Sequence, residues 1–231
     1  MANHLDLEDQ EQLDQLKHFW SVYGSLITWA VLLVAGAYIA WNGYNYYKRS
    51  QSSQAAVLFD ELQRNANAKD IGRAQAAASR LQTKFSGTAY AQQGALAAAK
   101  AQYQDNKPED TRRELEWVVE HAMDPGYKAV ARLRLAGVLL ESKAYDDAMK
   151  VLASGIPPSF EALAADRRGD IYAVQGQRDK AATAYRTAWL GLPASDPYRR
   201  VVGMKLNAAG VDPATLSVSL ASAGTPAKAV P

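Results

Sequence analysis

GDIYAVQGQRDKAATAYRTAWLGLP, residues 169–193, reads as two helices joined at Gly176 and Gln177. Small and apolar residues recur at helical spacing on both sides of that break, with no strand-like alternation. Gly169, Tyr172, Ala181, Tyr185, Ala188 and Pro193 set small residues against large ones at fixed offsets. Gly169 and Ala181 fall where two antiparallel helices cross most closely, so a larger side chain at either would push the helices apart. Tyr172 and Tyr185 are placed to fill the wider gaps toward a neighbouring unit.

Upstream the pairing returns. Ala-x-x-x-Leu/Tyr in the second helix of each pair matches Ala77/Leu81, Thr111/Leu115, Ala148/Leu152 and Ala181/Tyr185, separated by 34, 37 and 33 residues. The unit near Ala129 keeps Ala136, Leu139, Ala148 and Leu152, and the unit near Ala91 keeps Ala99, Thr111 and Leu115. A period near 34 with those six positions resembles the tetratricopeptide pattern. An irregular helical bundle is the competing account of alanines in an alanine-rich chain; six matches in one unit favour the repeat. Breaks are expected at 65–69, 85–88, 105–107, 121–124, 142–144, 154–158, 176–177 and 192–195. Asp124-Pro125 and Asp196-Pro197 carry helix-start chemistry, a carboxylate to accept first-turn N–H groups followed by a proline that lacks one. Pro108 with Glu109 and Asp110 marks another start, acids being favourable at the positive end of the helix dipole.

At the other end of the chain, VYGSLITWAVLLVAGAYIAW, residues 22–41, contains no charge and is long enough for a helix to cross a hydrocarbon core of about 30 Å. Its eight aliphatic side chains (Val22, Leu26, Ile27, Val31, Leu32, Leu33, Val34 and Ile39) favour insertion by about 3 to 4 kcal/mol in total. Phe19, Trp20 and Tyr23 precede the core, and Trp41, Tyr44, Tyr46 and Tyr47 follow it, as interfacial aromatic belts do. Ala35 to Ala37 imitates a signal-peptide cleavage site, but the leader is long and acidic where a signal peptide is short and basic; an uncleaved anchor is expected. Gly36 and Ala40 form a small-xxx-small pair that would let another helix approach, although such pairs are common in spans.

The expected fold is therefore all-α: a single N-terminal transmembrane helix followed by a tetratricopeptide-like helical repeat domain, an α-solenoid. Residues 1–17 form an acidic tail, 18–47 the membrane helix with its aromatic flanks, 48–209 the repeat domain, and 210–231 a small-residue and proline-rich tail expected to be disordered.

The net charge of +2 hides an asymmetry: five acids precede Lys17, whereas residues 48–231 carry 25 basic against 19 acidic residues. Bases and acids are interleaved along helices, which reads as a solvated surface and not as a nucleic-acid footprint. The chain has no cysteine, excluding disulfides, thiolate metal sites and a cysteine nucleophile. His4, His18 and His121 have no second ligand at metal-binding spacing. No phosphate-binding glycine loop, nucleophile elbow or zinc-protease motif occurs. The acid pairs Asp146/Asp147 and Asp166/Asp170 are explained as solvated surface. No cofactor is expected and catalysis is the weaker hypothesis. Repeat arrays of this kind bind proteins on the concave face of their first helices; the inward positions expected here are Lys100, Tyr103, Leu133, Leu140, Asp166 and Asp170. Leu133 and Leu140 are equally explained as core.

The acidic D-L-E-D-Q-E-Q-L-D-Q-L-K tail, the anchor opening F-W-x-x-Y-G, the Y-x-A-W-x-x-Y-x-Y-Y segment at Tyr38 to Tyr47 and the alanine-rich repeats together resemble the YfgM-type ancillary subunits of the bacterial SecYEG translocon. The likeness covers about Asp6 to Ala209. It implies a single-pass protein of a bacterial inner membrane, N-terminus cytoplasmic and repeat domain periplasmic. It further implies association with the SecYEG translocon and with a membrane-anchored periplasmic chaperone of the peptidyl-prolyl isomerase type, helping exported proteins onward. The charges flanking the span, Lys17 before it and Lys48 plus Arg49 after it, favour the opposite orientation by a single charge. A membrane-tethered repeat scaffold for another envelope assembly, such as cell-wall or cytochrome maturation, is the alternative function, and an unrecognised membrane-anchored enzyme the second.

Overall fold

The computed structural model describes residues 7–216, which form helices α1 (Leu7–Asn67), α2 (Ile71–Lys84), α3 (Ala89–Gln104), α4 (Pro108–His121), α5 (Pro125–Glu141), α6 (Tyr145–Ala153), α7 (Glu161–Val174), α8 (Arg178–Gly191) and α9 (Arg199–Ala208). No strand occurs among these residues. The chain divides into two compact units, residues 1–53 and 54–231.

In the first unit, α1 is the one helix among the described residues long and apolar enough to cross a membrane. Leu26, Trp29, Leu33 and Ile39 are each more than half exposed, an apolar surface that water would not tolerate and lipid would. The polar side chains of this stretch turn back on their own helix. Thr28 Oγ1 donates to the Gly24 carbonyl at 2.7 Å and Asn42 Nδ2 to that of Tyr38 at 3.1 Å, which removes unpaired donors from an apolar medium. Residues 1–6 of the acidic tail lie outside the described residues; the rest of it belongs to α1, with Lys17 paired to Asp14 at 3.3 Å.

The second unit is built on a recurring turn. Lys69, Asn106, Lys143, Gly176 and Gly210 all adopt left-handed backbone, with φ of 59°, 56°, 60°, 73° and 93°. In each case the next residue's N–H reaches back five residues: Asp70 to Asn65, Lys107 to Gln102, Ala144 to Leu139, Gln177 to Tyr172 and Val211 to Leu206, at 2.8–3.1 Å. This Schellman closure satisfies the last carbonyls of a helix while reversing the chain. Glycine adopts that backbone freely, whereas a lysine there costs roughly 1 to 2 kcal/mol, offset by the packing of the helices that the turn joins.

The turns define equivalent positions. Seven residues before each lies Leu62, Ala99, Ala136, Gly169 or Gly203, all buried. Five residues after the first four lie Ala74, Thr111, Ala148 and Ala181, also buried. The register of the first pair is thereby corrected: Ala74 and Ala78, not Ala77 and Leu81, correspond to Ala181 and Tyr185. All four are buried, so apolar spacing cannot separate the two alignments; only the turn at Lys69 does. The end of α1, from residue 54, is the first helix of the first pair, with Ala55, Leu58 and Leu62 packed on Ala77, Ala78 and Leu81 of α2.

A Cβ on Gly169 would lie no more than 3.0 Å from three ring carbons of Tyr185. Tyr185 therefore enters the crossing of its own pair, as well as packing on Leu206 of α9, beyond the inter-unit role expected of it. Tyr172 flanks the same cluster, Ala181 and Ala188 are buried, and Pro193 lies in the exposed connection after α8. Gly94 serves a different contact, that of α3 with α2 of the pair before it, where a Cβ would meet Leu81 at 2.6 Å.

Each second helix packs between the first helix of its own pair and that of the next, while the first helices α3, α5 and α7 lie side by side. Helix α9, ending in the fifth left-handed turn, begins a further pair, and residues 213–216 make one helical turn after it. Val211 and Leu216 pack against Ala181, Tyr185 and Leu206; residues 217–231 of the C-terminal tail lie outside the described residues. Asp124 caps α5 by accepting from Gly126 N at 2.6 Å and Tyr127 N at 3.3 Å, and Pro108 opens α4. Asp196 accepts from Tyr198 N at 2.8 Å, but α9 starts only at Arg199, because a turn intervenes.

Candidate partner-binding groove

Because α3, α5 and α7 run side by side, residues a few positions before each left-handed turn face a common cleft of about 340 Å³. Ala99 of α3, Leu115 of α4, and Gly137 and Val138 of α5 form its floor; Lys100, Tyr103, Arg134, Glu141 and Arg167 form its rim. Tyr103 donates its hydroxyl hydrogen to Glu141 Oε1 at 2.6 Å, tying α3 to α5 at one end. That hydrogen bond, reinforced by the carboxylate's charge, raises the phenol's pKa. Arg167 lies over Gly137, its guanidinium carbon 3.7 Å from where a Cβ would stand, and is steadied by Asp170 at 3.4 Å. Lys100 and Arg134 have no hydrogen-bond or ion-pair partner among the described residues.

The six positions expected to face inward separate into three groups. Lys100 and Tyr103 line the cleft. Leu133 and Leu140 are half-buried and pack against the central apolar cluster that contains Leu135, Val138 and Leu139. Asp166 and Asp170 sit beneath α9. Lys205 Nζ lies 2.8 Å from Asp166 and 2.7 Å from Asp170. Tyr198 donates to Asp166 at 2.7 Å and Tyr185 to Asp170 at 3.0 Å. The explanation of this pair as solvated surface is corrected: Asp166 is 2 % exposed, because Tyr198 and Lys205, carried by α9 and the turn before it, reach across to α7 and cover it. Desolvation lowers the Lys205 pKa, but the hydrogen bonds and charges of the two aspartates outweigh it and the net shift is upward. Burial and the neighbouring aspartates push both tyrosines upward as well.

A second buried acid was not anticipated. Glu114 of α4 is 5 % exposed and accepts from Gln75 Nε2 at 2.7 Å and from Gln82 Nε2; Gln102 in turn donates to Gln75 Oε1. Desolvation raises its pKa against the opposing effect of these amide donors. In the span, Gly36 has no atom within 4 Å of a would-be Cβ and Ala40 is exposed one turn further along. Among the described residues no group of three or more His, Asp or Glu side chains can hold a metal ion.

Arg134, Gly137, Glu141 and Arg167 escaped the sequence reading. The available signal was the 33-residue spacing of Arg134 and Arg167, nine before their respective turns, together with Arg134, Gly137 and Glu141 at three- and four-residue steps along one face of α5.

Paired helices closed by one recurring turn, following a long apolar helix in the sequence, define a tetratricopeptide repeat-like protein with one N-terminal candidate membrane helix among the described residues. The family described as "Tetratricopeptide repeat-like domain" matches residues 17–211, taking in anchor and repeats together. The chain is similar to the "Ancillary SecYEG translocon subunit" of Neisseria gonorrhoeae, 30 % identical over 208 residues covering 90 % of this chain and 99 % of the relative. Proteins of the same name from Haemophilus influenzae (25 % over 201 residues, 87 % of this chain and 97 % of the relative) and Escherichia coli (26 % over 205 residues, 86 % and 95 %) are similar as well. The chain belongs to this family of ancillary SecYEG translocon subunits.

Proposed function

We propose that the chain is a non-catalytic scaffold, anchored in a bacterial inner membrane by α1, that associates with the SecYEG translocon and presents its repeat domain to partners on the periplasmic side. The N-terminus is cytoplasmic in this reading. The partner at the groove is a membrane-anchored periplasmic chaperone of the peptidyl-prolyl isomerase type, to which exported chains are passed. The observation that carries the proposal is the similarity of anchor and repeats, as one piece, to relatives named as translocon subunits. The side-by-side first helices support it, since they leave a cleft in which Lys100 and Arg134 have no partner among the described residues.

Extraction of the full chain in a mild detergent, with mass spectrometry of co-purifying proteins, tests the assignment. Recovery of SecYEG subunits and a periplasmic isomerase is expected; recovery of cell-wall or cytochrome-maturation proteins alone would replace it with another envelope scaffold. The cysteine-free sequence also permits a direct test of orientation. Ala194→Cys, in the exposed loop after α8, should react with an impermeant maleimide once only the outer membrane is permeabilised. Protection until the inner membrane is opened would reverse the topology.

A further inference from the structure

The rim of the groove is electrostatically incomplete. Three cations, Lys100, Arg134 and Arg167, face one carboxylate, Glu141, and that carboxylate is engaged by the Tyr103 hydroxyl. Lys100 and Arg134 have no partner among the described residues, and Arg167 holds only the 3.4 Å contact to Asp170. Elsewhere in this unit the cations beside an acid are paired with it: Arg80 with Glu61, Arg112 with Glu116, Arg168 with Glu161, Lys205 with two aspartates. Unpaired cations in one cleft repel each other, and that repulsion is relieved when an anion enters.

The charge is also graded. Arg134 and Arg167 occupy the same position in consecutive first helices, nine residues before their turns, and Lys100 lies level with Gly137, six before theirs. The Tyr103–Glu141 pair closes the opposite end, near the turns. Between them the floor is apolar, and the missing side chain at Gly137 leaves the shelf on which Arg167 rests. A concave cleft with an apolar floor suits a side-chain-bearing strand or helix and not a flat membrane surface.

We propose that this groove binds an acidic peptide segment of a partner protein, its Asp or Glu carboxylates held by Lys100, Arg134 and Arg167 and its aliphatic side chains on the floor at Ala99, Leu115 and Val138. Guanidinium groups recognise carboxylates through paired N–H donors, so Arg134 and Arg167 supply orientation as well as charge. Glu141 repels a second carboxylate and thereby sets which end of the groove the acidic residues occupy. The inference rests on the scaffold reading, and names the chemistry of the segment that the scaffold holds.

The test uses the full chain in phosphatidylcholine nanodiscs with a fluorescent twelve-residue peptide in which Asp and Glu alternate with Leu and Ser, and a copy carrying Asn and Gln in place of the acids. The acidic peptide should bind at least tenfold more tightly than its amide copy at low salt, and the preference should shrink as salt screens the groove. Lys100→Glu combined with Arg134→Glu should abolish the preference with the thermal midpoint unchanged, since neither side chain has a partner among the described residues. Glu141→Gln should instead strengthen acidic-peptide binding while still accepting from Tyr103. Equal binding of the two peptides, or indifference to the double charge reversal, would overturn the proposal. Displacement of the peptide by short-chain phosphatidylglycerol, with loss of lipid binding in the same variant, would reassign the groove to a lipid headgroup. Co-purification separates the two levels: SecYEG recovered without a peptide preference leaves the scaffold reading standing and sinks only this one. Absence of SecYEG sinks the scaffold reading whatever the peptides do.

Discussion

Asp166 and Glu114 are almost equally inaccessible, 2 % and 5 % exposed, yet they are held in opposite ways. Asp166 faces a cation and a phenol that arrive with α9 and the turn before it, 39 and 32 residues later in the chain. Glu114 faces amides from α2 and has no ion-pair partner among the described residues. A buried carboxylate beside an ammonium is stabilised in its charged form but becomes a large liability once that partner is removed. A buried carboxylate beside amides is only partly compensated, so its neutral form gains ground. The two sites show that burial alone does not fix what an acid contributes; the element that covers it does.

Breaking the first site should have the largest effect. Lys205→Met keeps the length of the side chain and removes the charge, leaving Asp166 and Asp170 mutually repelling under α9. A loss of about 3 kcal/mol or more is expected, read from thermal unfolding of the detergent-solubilised chain by circular dichroism; an unchanged midpoint would mean that α9 does not depend on the pair. Gly169→Ala acts on the same site through Tyr185, whose ring the new methyl would overlap and whose hydroxyl donates to Asp170. Overpacking there should cost about 1 to 3 kcal/mol, and combining it with Lys205→Met should give less than the sum of the two, because both weaken the same cluster.

The contrast sharpens with pH. The folded pKa of Glu114 is raised above 4.5, so its stabilising contribution is fully present below 4.5 and is lost as pH rises through the folded value. Lys205, also raised, from 10.5, has its contribution fully present below 10.5 and loses it only as pH rises through its own folded value. Glu114→Gln should therefore shift stability by no more than about 1 kcal/mol at neutral pH. On mild acidification the parent chain should gain relative to this variant; parallel pH profiles would refute the assignment. The smallest effect is expected for Tyr103→Phe, which removes one exposed hydrogen bond at the groove and should cost less than about 1 kcal/mol, with Glu141 then free to swing.

The difference between these sites also marks how far the sequence could be read. Local signals, such as the charge-free run at 22–41, Asp124-Pro125, Pro108 and the six spaced residues of the 169–193 unit, act within one or two turns of the chain and translate directly into elements. The Lys205–Asp166 pair joins residues 39 apart, and no local periodicity announces it; it depends on α9 packing on α8 and extending Lys205 to α7. Glu114 looked like one more acid on a charged helix until Gln75, Gln82 and Gln102 enclosed it. Half of the groove was legible for a similar reason. Tyr103 and Lys100 stood out as polar residues at inward spacing, whereas Arg134 and Arg167 required the register of the turns. Three of those turns carry Lys69, Asn106 and Lys143, where a glycine would have flagged the backbone.

Those five turns have one more consequence. From the buried contact residue of each of the first four first helices, through the turn, to its buried counterpart in the second helix, the chain always takes twelve residues: Leu62 to Ala74, Ala99 to Thr111, Ala136 to Ala148 and Gly169 to Ala181. The turns themselves are 37, 37, 33 and 34 residues apart, so all variation in unit length falls outside that block, in the end of the second helix and the connection to the next pair. The molecule thus contains rigid gauge blocks separated by adjustable joints. A residue inserted near Met123 or Gly155 is absorbed by the joint, while one inserted inside a block rotates everything beyond it by about 100°, turning buried alanines to solvent and the groove's cations away from one another.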